Sequence, residues 1–306
     1  MSSISRALAL QISHPDVLGS YLSSNPSDQL LPRIAKMAVV GDSLQVANIE
    51  TLALAFFISS GGTADASATT YAVAARQFPI RRIATRVEVN GDIAQNVSMV
   101  NDVFEQQIQA KMIAMWNAVG DKLINGTGSD PEPAGLVTLA AENADSFSNA
   151  GANLTLAKLD EMIRLFRPWD GDTQRAFVMN RGRYAKFIAL CHAAGFDPAI
   201  MPDRILGKPL AHYMGVPVLV SDFITDTETL TTTSVYLACL GTREGEPQFG
   251  GLVWFYNRDT GPGIRVDGPH RTSGTTDLLF STLELNIGFA SLSTGSVLRM
   301  SSVGLS

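Results

Sequence analysis

Cysteine is scarce in this chain: its 306 residues contain two, Cys191 and Cys239. Two thiols cannot supply a disulfide framework, so the fold is expected to rest on its core and to suit a reducing compartment. Charge is also thin. Only 17% of the residues are Asp, Glu, Lys or Arg, against about a quarter in an ordinary soluble domain. So low a charge on a chain that is 45% hydrophobic points to a surface largely covered by copies of itself. A basic excess is missing as well. The formal net charge is −6, which argues against a strong nucleic-acid binder. No apolar run is long enough to cross a bilayer, since the most apolar stretch, Leu52 to Ile58, is far short of the roughly 20 residues required. Arg6 is followed only by a short Ala-Leu run before His14-Pro15, which is no secretory leader. Finally, no lysine occurs between Lys36 and Lys111.

Catalytic signatures are missing in the same way. There is no GxSxG elbow, HExxH helix, phosphate loop or CxxC pair. The four histidines, His14, His192, His212 and His270, are far apart and lack ligand spacing. "DGD" at 170–172 starts like a calcium loop but lacks the remaining ligands. "GTGSDP" at 126 lacks the third glycine of a dinucleotide turn, and it follows a helix instead of opening one. The expectation is therefore no catalytic residue, no metal site, no cofactor and no enzymatic activity.

What is present is a sequence of elements. Residues 1–42 read as an arm, with polar turns between short apolar pieces and no lasting periodicity. Residues 43–90 read as a long two-stranded β-ribbon, with a small-residue tip at 59–70. The alternative for this stretch is an ordinary meander in a core sheet. A helix is expected over 97–124, with Phe104, Ile108, Met112, Met115, Val119 and Leu123 on one stripe. It ends at a corner, "NGTGSDPEPAGL", where Gly126 and Gly128 permit backbone that other residues avoid and Pro131 and Pro133 hold φ near about −65°. A compact mixed α/β segment follows. Thr155 and Asn180 open two of its helices, and "RAFVMN" and "GVPVLVSD" are buried strands. Strands return from Ile264 onward.

This order resembles the Hong Kong 97 fold of tailed-phage major capsid proteins. The likeness is carried by the strand, helix and corner in "RIATRVEVNGDIAQNVSMVNDVFEQQIQAKMIAMWNAVGDKLINGTGSDPEPAGLVTLA", by the pair "RAFVMN" and "GVPVLVSD", and by the segment from Gly263 onward. The resemblance implies an α+β fold in four parts. They are an N-terminal arm at 1–42 and an extended loop at 43–90, then a peripheral domain of 91–136 with 257–306 and an axial domain of 137–256. It implies hexamers and pentamers tiling an icosahedral shell around double-stranded DNA, with the ribbon of one copy lying over its neighbour. The partners implied are other copies, a separate scaffolding protein, a portal and a cement protein. The packaged DNA is held without strong specific binding, no membrane is involved, and assembly takes place in a host cytoplasm. An encapsulin-like compartment shell that packages a cargo enzyme shares the fold and is the nearest alternative. A soluble mixed-fold hydrolase or binding protein is the remote one. Arg76, Arg81, Arg82 and Arg86 are the expected subunit contacts, because arginine pairs carboxylates in a two-pronged geometry. A stiff corner would set one angle between the two domains.

Some members of that family join a lysine on the extended loop to an asparagine of a neighbour. A loop with no lysine between Lys36 and Lys111 offers no such nucleophile. Mature particles should therefore run on denaturing gels as one band near 32.7 kDa; a ladder of covalent multimers would refute this.

Overall fold

The computed structural model describes residues 29–51, 72–90, 103–142, 146–166, 174–202, 209–226, 232–240, 251–272, 278–292 and 295–305. Its central strands are unbroken apolar runs because both faces of their sheet are covered. Seven strands lie in the order β5 (Ser146–Ser148), β14 (Val297–Gly304), β10 (Thr232–Cys239), β6 (Arg175–Met179), β9 (Val216–Val220), β8 (Pro209–Tyr213) and β7 (Ala199–Pro202). Side chains alternate along a strand, and here both sets are buried. Phe177, Met179, Val235, Leu237 and Cys239 pack with Leu159 and Met162 of α3 (Leu156–Leu165) and with Phe187 and Cys191 of α4 (Arg181–Ala193). Ala176, Val178, Tyr236 and Ala238 face the opposite way, into the core shared with the second sheet. The register, Leu237 opposite Phe177 and Tyr236 opposite Val178, keeps the two sets apart.

Both helices on the outer face begin where the sequence says. The Thr155 hydroxyl accepts from the Lys158 N–H at 3.4 Å, and the Asn180 side-chain oxygen accepts from the Arg183 N–H at 2.8 Å. Helix α4 ends in a Schellman motif. The Phe196 N–H reaches the Cys191 carbonyl at 3.1 Å, and Gly195, with φ at 81°, donates to His192 at 3.0 Å.

The second sheet is built on one 14-residue strand, β13 (Leu278–Ser291). It pairs antiparallel with β4 (Arg81–Asn90) on one side and β12 (Arg265–Arg271) on the other, and with β11 (Leu252–Asn257) at its far end. β1 (Ala35–Val39) adds parallel to β11. Leu283, Leu285, Ile287 and Phe289 alternate inward along β13, as do Val87 and Val89 on β4. Gly288 lies opposite Phe255 and leaves room for its ring, which an added β-carbon would strike. The helix α1 (Val103–Asn125) packs along β4. All six residues of its stripe are buried, and Trp116 and Ile124 widen it. At about 2 kcal/mol per buried large side chain, that stripe joins helix and sheet into one body. α2 (Leu136–Glu142) follows the corner and rests on β14.

The structure redraws several sequence boundaries. The proposed caps of the long helix, Asn96 and Ser98, and its expected start at 97 lie outside the described residues, as do residues 1–28 of the arm and the ribbon tip. Within the described part, residues 29–39 are not a free arm. Leu30, Leu31 and Ile34 are buried in the shared core, and β1 is hydrogen-bonded to β11. The stretch 43–90 divides in two. Among the described residues β2 (Ser43–Thr51) and β3 (Ala72–Pro79) pair only with each other as a two-stranded ribbon, while β4 is a core-sheet strand, so ribbon and meander are both present. The closing strands divide as well. β12 and β13 lie in the five-stranded sheet, whereas β14 crosses into the seven-stranded one between β10 and β5. A strand's apolar pattern reports how it is buried and not which sheet buries it, so this crossing left no mark in the sequence.

Phe187 is fully buried and meets Tyr213 edge-on, with ring centroids 5.7 Å apart. Phe187→Ala should destabilise the unassembled chain by about 3–5 kcal/mol, read as a lowered urea midpoint. A loss below 1 kcal/mol would contradict this packing.

Candidate assembly site

The turn after α1 is a closed backbone knot. The Gly126 N–H donates to the Lys122 carbonyl at 3.0 Å, extending the helical pattern by one bond. The Gly135 N–H donates to the Gly126 carbonyl at 2.9 Å, and the Gly128 N–H to the Pro133 carbonyl at 3.2 Å. The Thr138 hydroxyl adds a second donor to Gly126, at 2.6 Å. Gly128 takes φ at 75°, as a left-handed turn requires. Gly126 serves differently from the expectation, since it is not among the positive-φ glycines. It is needed for space, because a β-carbon there would overlap the Pro133 carbonyl oxygen and lie 2.5 Å from the Lys122 oxygen. Gly135 has the same role from the other side, with Gly126 N at 2.5 Å and Ile124 O at 2.7 Å. The Asp130–Pro131 peptide is cis.

Side chains tie this corner to its surroundings. Lys122 pairs with Glu132 at 2.8 Å, and Glu132 also accepts from the Thr127 hydroxyl at 3.1 Å. The Lys122 hydrogen bond, followed by that of Thr127, holds the Glu132 carboxyl below its usual range. The same bond to Glu132 raises Lys122, with desolvation opposing it. Asn125 donates to Asp121 at 2.9 Å and to the Phe223 carbonyl at 3.0 Å. Gly120, one turn earlier, leaves the helix surface bare where the Phe223 ring lies. The loop after β9 is thereby latched onto the end of α1.

The corner also meets the base of the ribbon. Arg81 donates to Asp130 at 2.6 Å, and Arg76, Gln77, Phe78 and Pro79 line a cleft of about 350 Å³ against Gly128 and Ala134. Of the four arginines read as subunit contacts, only Arg76 lies on the ribbon; Arg81, Arg82 and Arg86 lie on β4. Three have carboxylate partners within the chain: Arg81 with Asp130, Arg82 with Glu284, and Arg86 with Glu88 at 2.8 Å. Arg86 also stacks on Phe280, 4.0 Å from the ring centre. Arg82 and Arg86 remain 61% and 48% exposed, so their outer edges face solvent. Asp130 and Glu132 were invisible as partners. Each reads as a turn residue, and the Arg81 contact spans 49 positions.

Among the described residues no group of His, Cys, Asp and Glu could hold a metal. His192 faces Asp197 at 3.0 Å, and His270 faces Asp267 at 3.5 Å. Cys191 and Cys239 are buried, and burial pushes the Cys191 thiol up, away from the reactive thiolate. No helix among the described residues is long and apolar enough to cross a membrane.

Comparison with known proteins finds a match to the phage capsid family over residues 29–239. No curated protein matches the sequence. Among solved structures, the SrpI encapsulin of Synechococcus elongatus PCC 7942 superposes with a TM-score of 0.70 at 18% identity, over 100% of this chain and 98% of that one. The capsid of the cyanophage A-1(L) gives 0.65 at 14% identity, over 89% and 92%. The capsid of a native GTA particle gives 0.64 at 13%, over 99% and 93%. At these identities the superpositions establish a shared fold.

The corner makes two demands that can be separated. Gly126→Ala should cost about 1–3 kcal/mol of stability, because the obstructing atoms are backbone, and Gly128→Ala about 1 kcal/mol for its left-handed φ. The Lys122–Glu132 pair is fully present above pH 4.5, the ordinary value for Glu132, and is lost as pH falls through its lowered folded value. On the alkaline side it is lost only above the raised value of Lys122. Glu132→Gln should therefore flatten part of the acid limb in urea midpoints measured from pH 7 to pH 3. An unchanged acid limb would remove the pair from this account.

Proposed function

The chain belongs to the phage capsid family, and from that premise we propose that it is the major capsid protein of a tailed-phage particle, forming hexamers and pentamers of an icosahedral shell around double-stranded DNA. The observation that carries this reading is the ribbon. β2 and β3 hydrogen-bond to each other and, among the described residues, to no strand of either larger sheet. A two-stranded hairpin is marginal in water by itself. Its base packs on the body through Val46 and Phe78, and in this reading the ribbon lies on the surface of a neighbour.

In this reading the five-stranded sheet with α1 is the peripheral domain, and the seven-stranded sheet with α3 and α4 is the axial one. The corner fixes how they meet. Arg76 on the ribbon and Arg81, Arg82 and Arg86 on β4 form the contact side, with Arg82 and Arg86 offering their exposed edges to carboxylates of the next copy. The scaffold, portal and cement proteins are separate chains, and assembly takes place in the host cytoplasm before the shell becomes part of the virion. The acidic balance of −6 keeps packaged DNA from adhering to the wall.

A second reading is an encapsulin-like shell. It is favoured by the superposition on the Synechococcus elongatus encapsulin over the full length of this chain. The two differ in what the shell contains.

Electron microscopy and gel filtration of the expressed chain test the shared part. Closed particles eluting in the void are expected; a species that stays near 32.7 kDa at high concentration would sink both shell readings. Nuclease-protected double-stranded DNA in native particles selects the capsid, and a co-purifying enzyme selects the compartment. Arg81→Glu with Arg82→Glu should abolish assembly or make it strongly salt-dependent. Each exposed pair adds only about 0–1 kcal/mol, so the unassembled chain should stay folded. Normal particles at normal yield would confine these arginines to their partners within the chain.

A further inference from the structure

Two Asn-Gly dipeptides occur in the chain, Asn90–Gly91 and Asn125–Gly126. Asn-Gly is the pair most open to self-modification in a free chain, because glycine puts no side chain in the way of its own nitrogen. The second pair sits in the corner, and the fold depends on both of its residues. Glycine is required at 126, where a β-carbon would overlap the Pro133 carbonyl oxygen. The asparagine is in use as well. Its side-chain amide donates to the Asp121 carboxylate at 2.9 Å and to the Phe223 carbonyl at 3.0 Å, which ties the loop after β9 to the end of α1.

We propose that Asn125–Gly126 is a latent deamidation site, which the closed corner holds inert and which opening of the corner releases. In the reaction the Gly126 backbone nitrogen gives up its proton and attacks the side-chain carbon Cγ of Asn125. The bond from Cγ to the amide nitrogen breaks, and that nitrogen leaves as ammonia with the proton. Water then opens the cyclic imide at one of its two carbonyls, which gives aspartate or isoaspartate. Water is the only co-reactant, and nothing is oxidised or reduced. The closed corner restrains every group involved. The Gly126 N–H is committed to the Lys122 carbonyl at 3.0 Å. Asn125 is the last residue of α1, and helical ψ, about −42°, holds the Gly126 nitrogen away from Cγ. The amide that has to leave is tied to two acceptors.

The product and the closed corner exclude each other. A carboxylate at 125 replaces a donor with an acceptor, and it would face the Asp121 carboxylate and the Phe223 carbonyl. The nearby Lys122 ammonium, 3.3 Å from Asp121, is already shared with Glu132. Isoaspartate lengthens the main chain by a carbon between 125 and 126. There the Gly126 N–H has to meet Lys122 while the Pro133 oxygen fills the β-carbon position. Opening is thus recorded in covalent form, and a chain modified at 125 loses the tie between α1 and the loop after β9. The chemistry belongs to the free chain and is independent of the shell reading.

Peptide mass spectrometry of the wild-type chain held at pH 8 and 37 °C, folded or in urea, reads the site directly. In urea Asn125 and Asn90 should deamidate at similar rates. In the folded chain Asn125 should deamidate at least tenfold more slowly than in urea. Equal rates for Asn125 in the two states would overturn the proposal. So would a rate in urea far below that of Asn90, which would place the protection in the local sequence. Phe223→Ala removes the ring over Gly120 and leaves residues 125 and 126 unaltered. It should speed deamidation of Asn125 in the folded chain at least threefold without changing the rate in urea; an unchanged rate in the folded chain would overturn gating by the corner. Asn125→Asp stands in for one product, and it should lower the urea midpoint by more than Asn125→Ala does. A chain that folds as Asn125→Ala and fails to fold as Asn125→Asp gives the same answer. A midpoint for Asn125→Asp at or above that of Asn125→Ala would show that the corner tolerates the product, against the proposal.

Discussion

The carbonyl oxygen of Pro133 occupies the place where residue 126 would carry its β-carbon. Much of the architecture depends on that close approach. It lets the chain turn back within one hydrogen bond of the end of α1, so that Gly135 can donate to Gly126 and α2 can start at once. α2 leans on β14, and β14 lies inside the seven-stranded sheet. α1 leans on β4, inside the five-stranded one. The knot between the two helices is thus the short path by which one sheet is placed relative to the other. Phe223 over Gly120 and Arg81 on Asp130 brace the same point from either side. Three separate contacts thus meet the chain between Gly120 and Gly135.

How much of this the sequence discloses depends on the range of the interaction. Periodicity and caps are local, and they located the stripe of α1 and the openings of α3 and α4 at Thr155 and Asn180. The corner was legible as a corner because glycine and proline act on their own φ angles. The reason for Gly126 was not, because the atom that forbids a side chain there belongs to a residue seven positions on. Sheet membership was hidden for the same cause. The apolar alternation of β14 would suit either sheet, and only its pairing with β10 decides. The arginines are the sharpest case. Four positive charges close together in sequence read as a free cluster, yet Asp130 and Glu284 come to Arg81 and Arg82 from 49 and 202 positions away.

Those pairs change where assembly energy has to come from. An ion pair already made within the subunit gains little from a second carboxylate, and exposed pairs are weak and screened by salt. Their plainer contribution is geometric. Arg81 ties the start of β4 to the corner, so the ribbon, which joins β4 through Ile80 alone, leaves the body in a set direction. Electrostatics in this chain therefore fixes where a contact can occur more than it drives the contact.

Apolar burial then has to supply the drive, at roughly 25 cal/mol for each Å² removed from water. A single small apolar contact is weak, since association must also offset lost translational and rotational freedom. In a closed shell that cost does not recur for every contact. Once two edges of a subunit are engaged, the third meets its neighbour at a high effective concentration. The gain is realised only if the subunit holds its surfaces at a constant angle, because a flexible chain would lose in entropy what each added contact returns. A well-braced corner and weak contacts are therefore two halves of one requirement. The corner makes weak contacts additive, and their weakness lets a misplaced subunit leave before the shell closes around it.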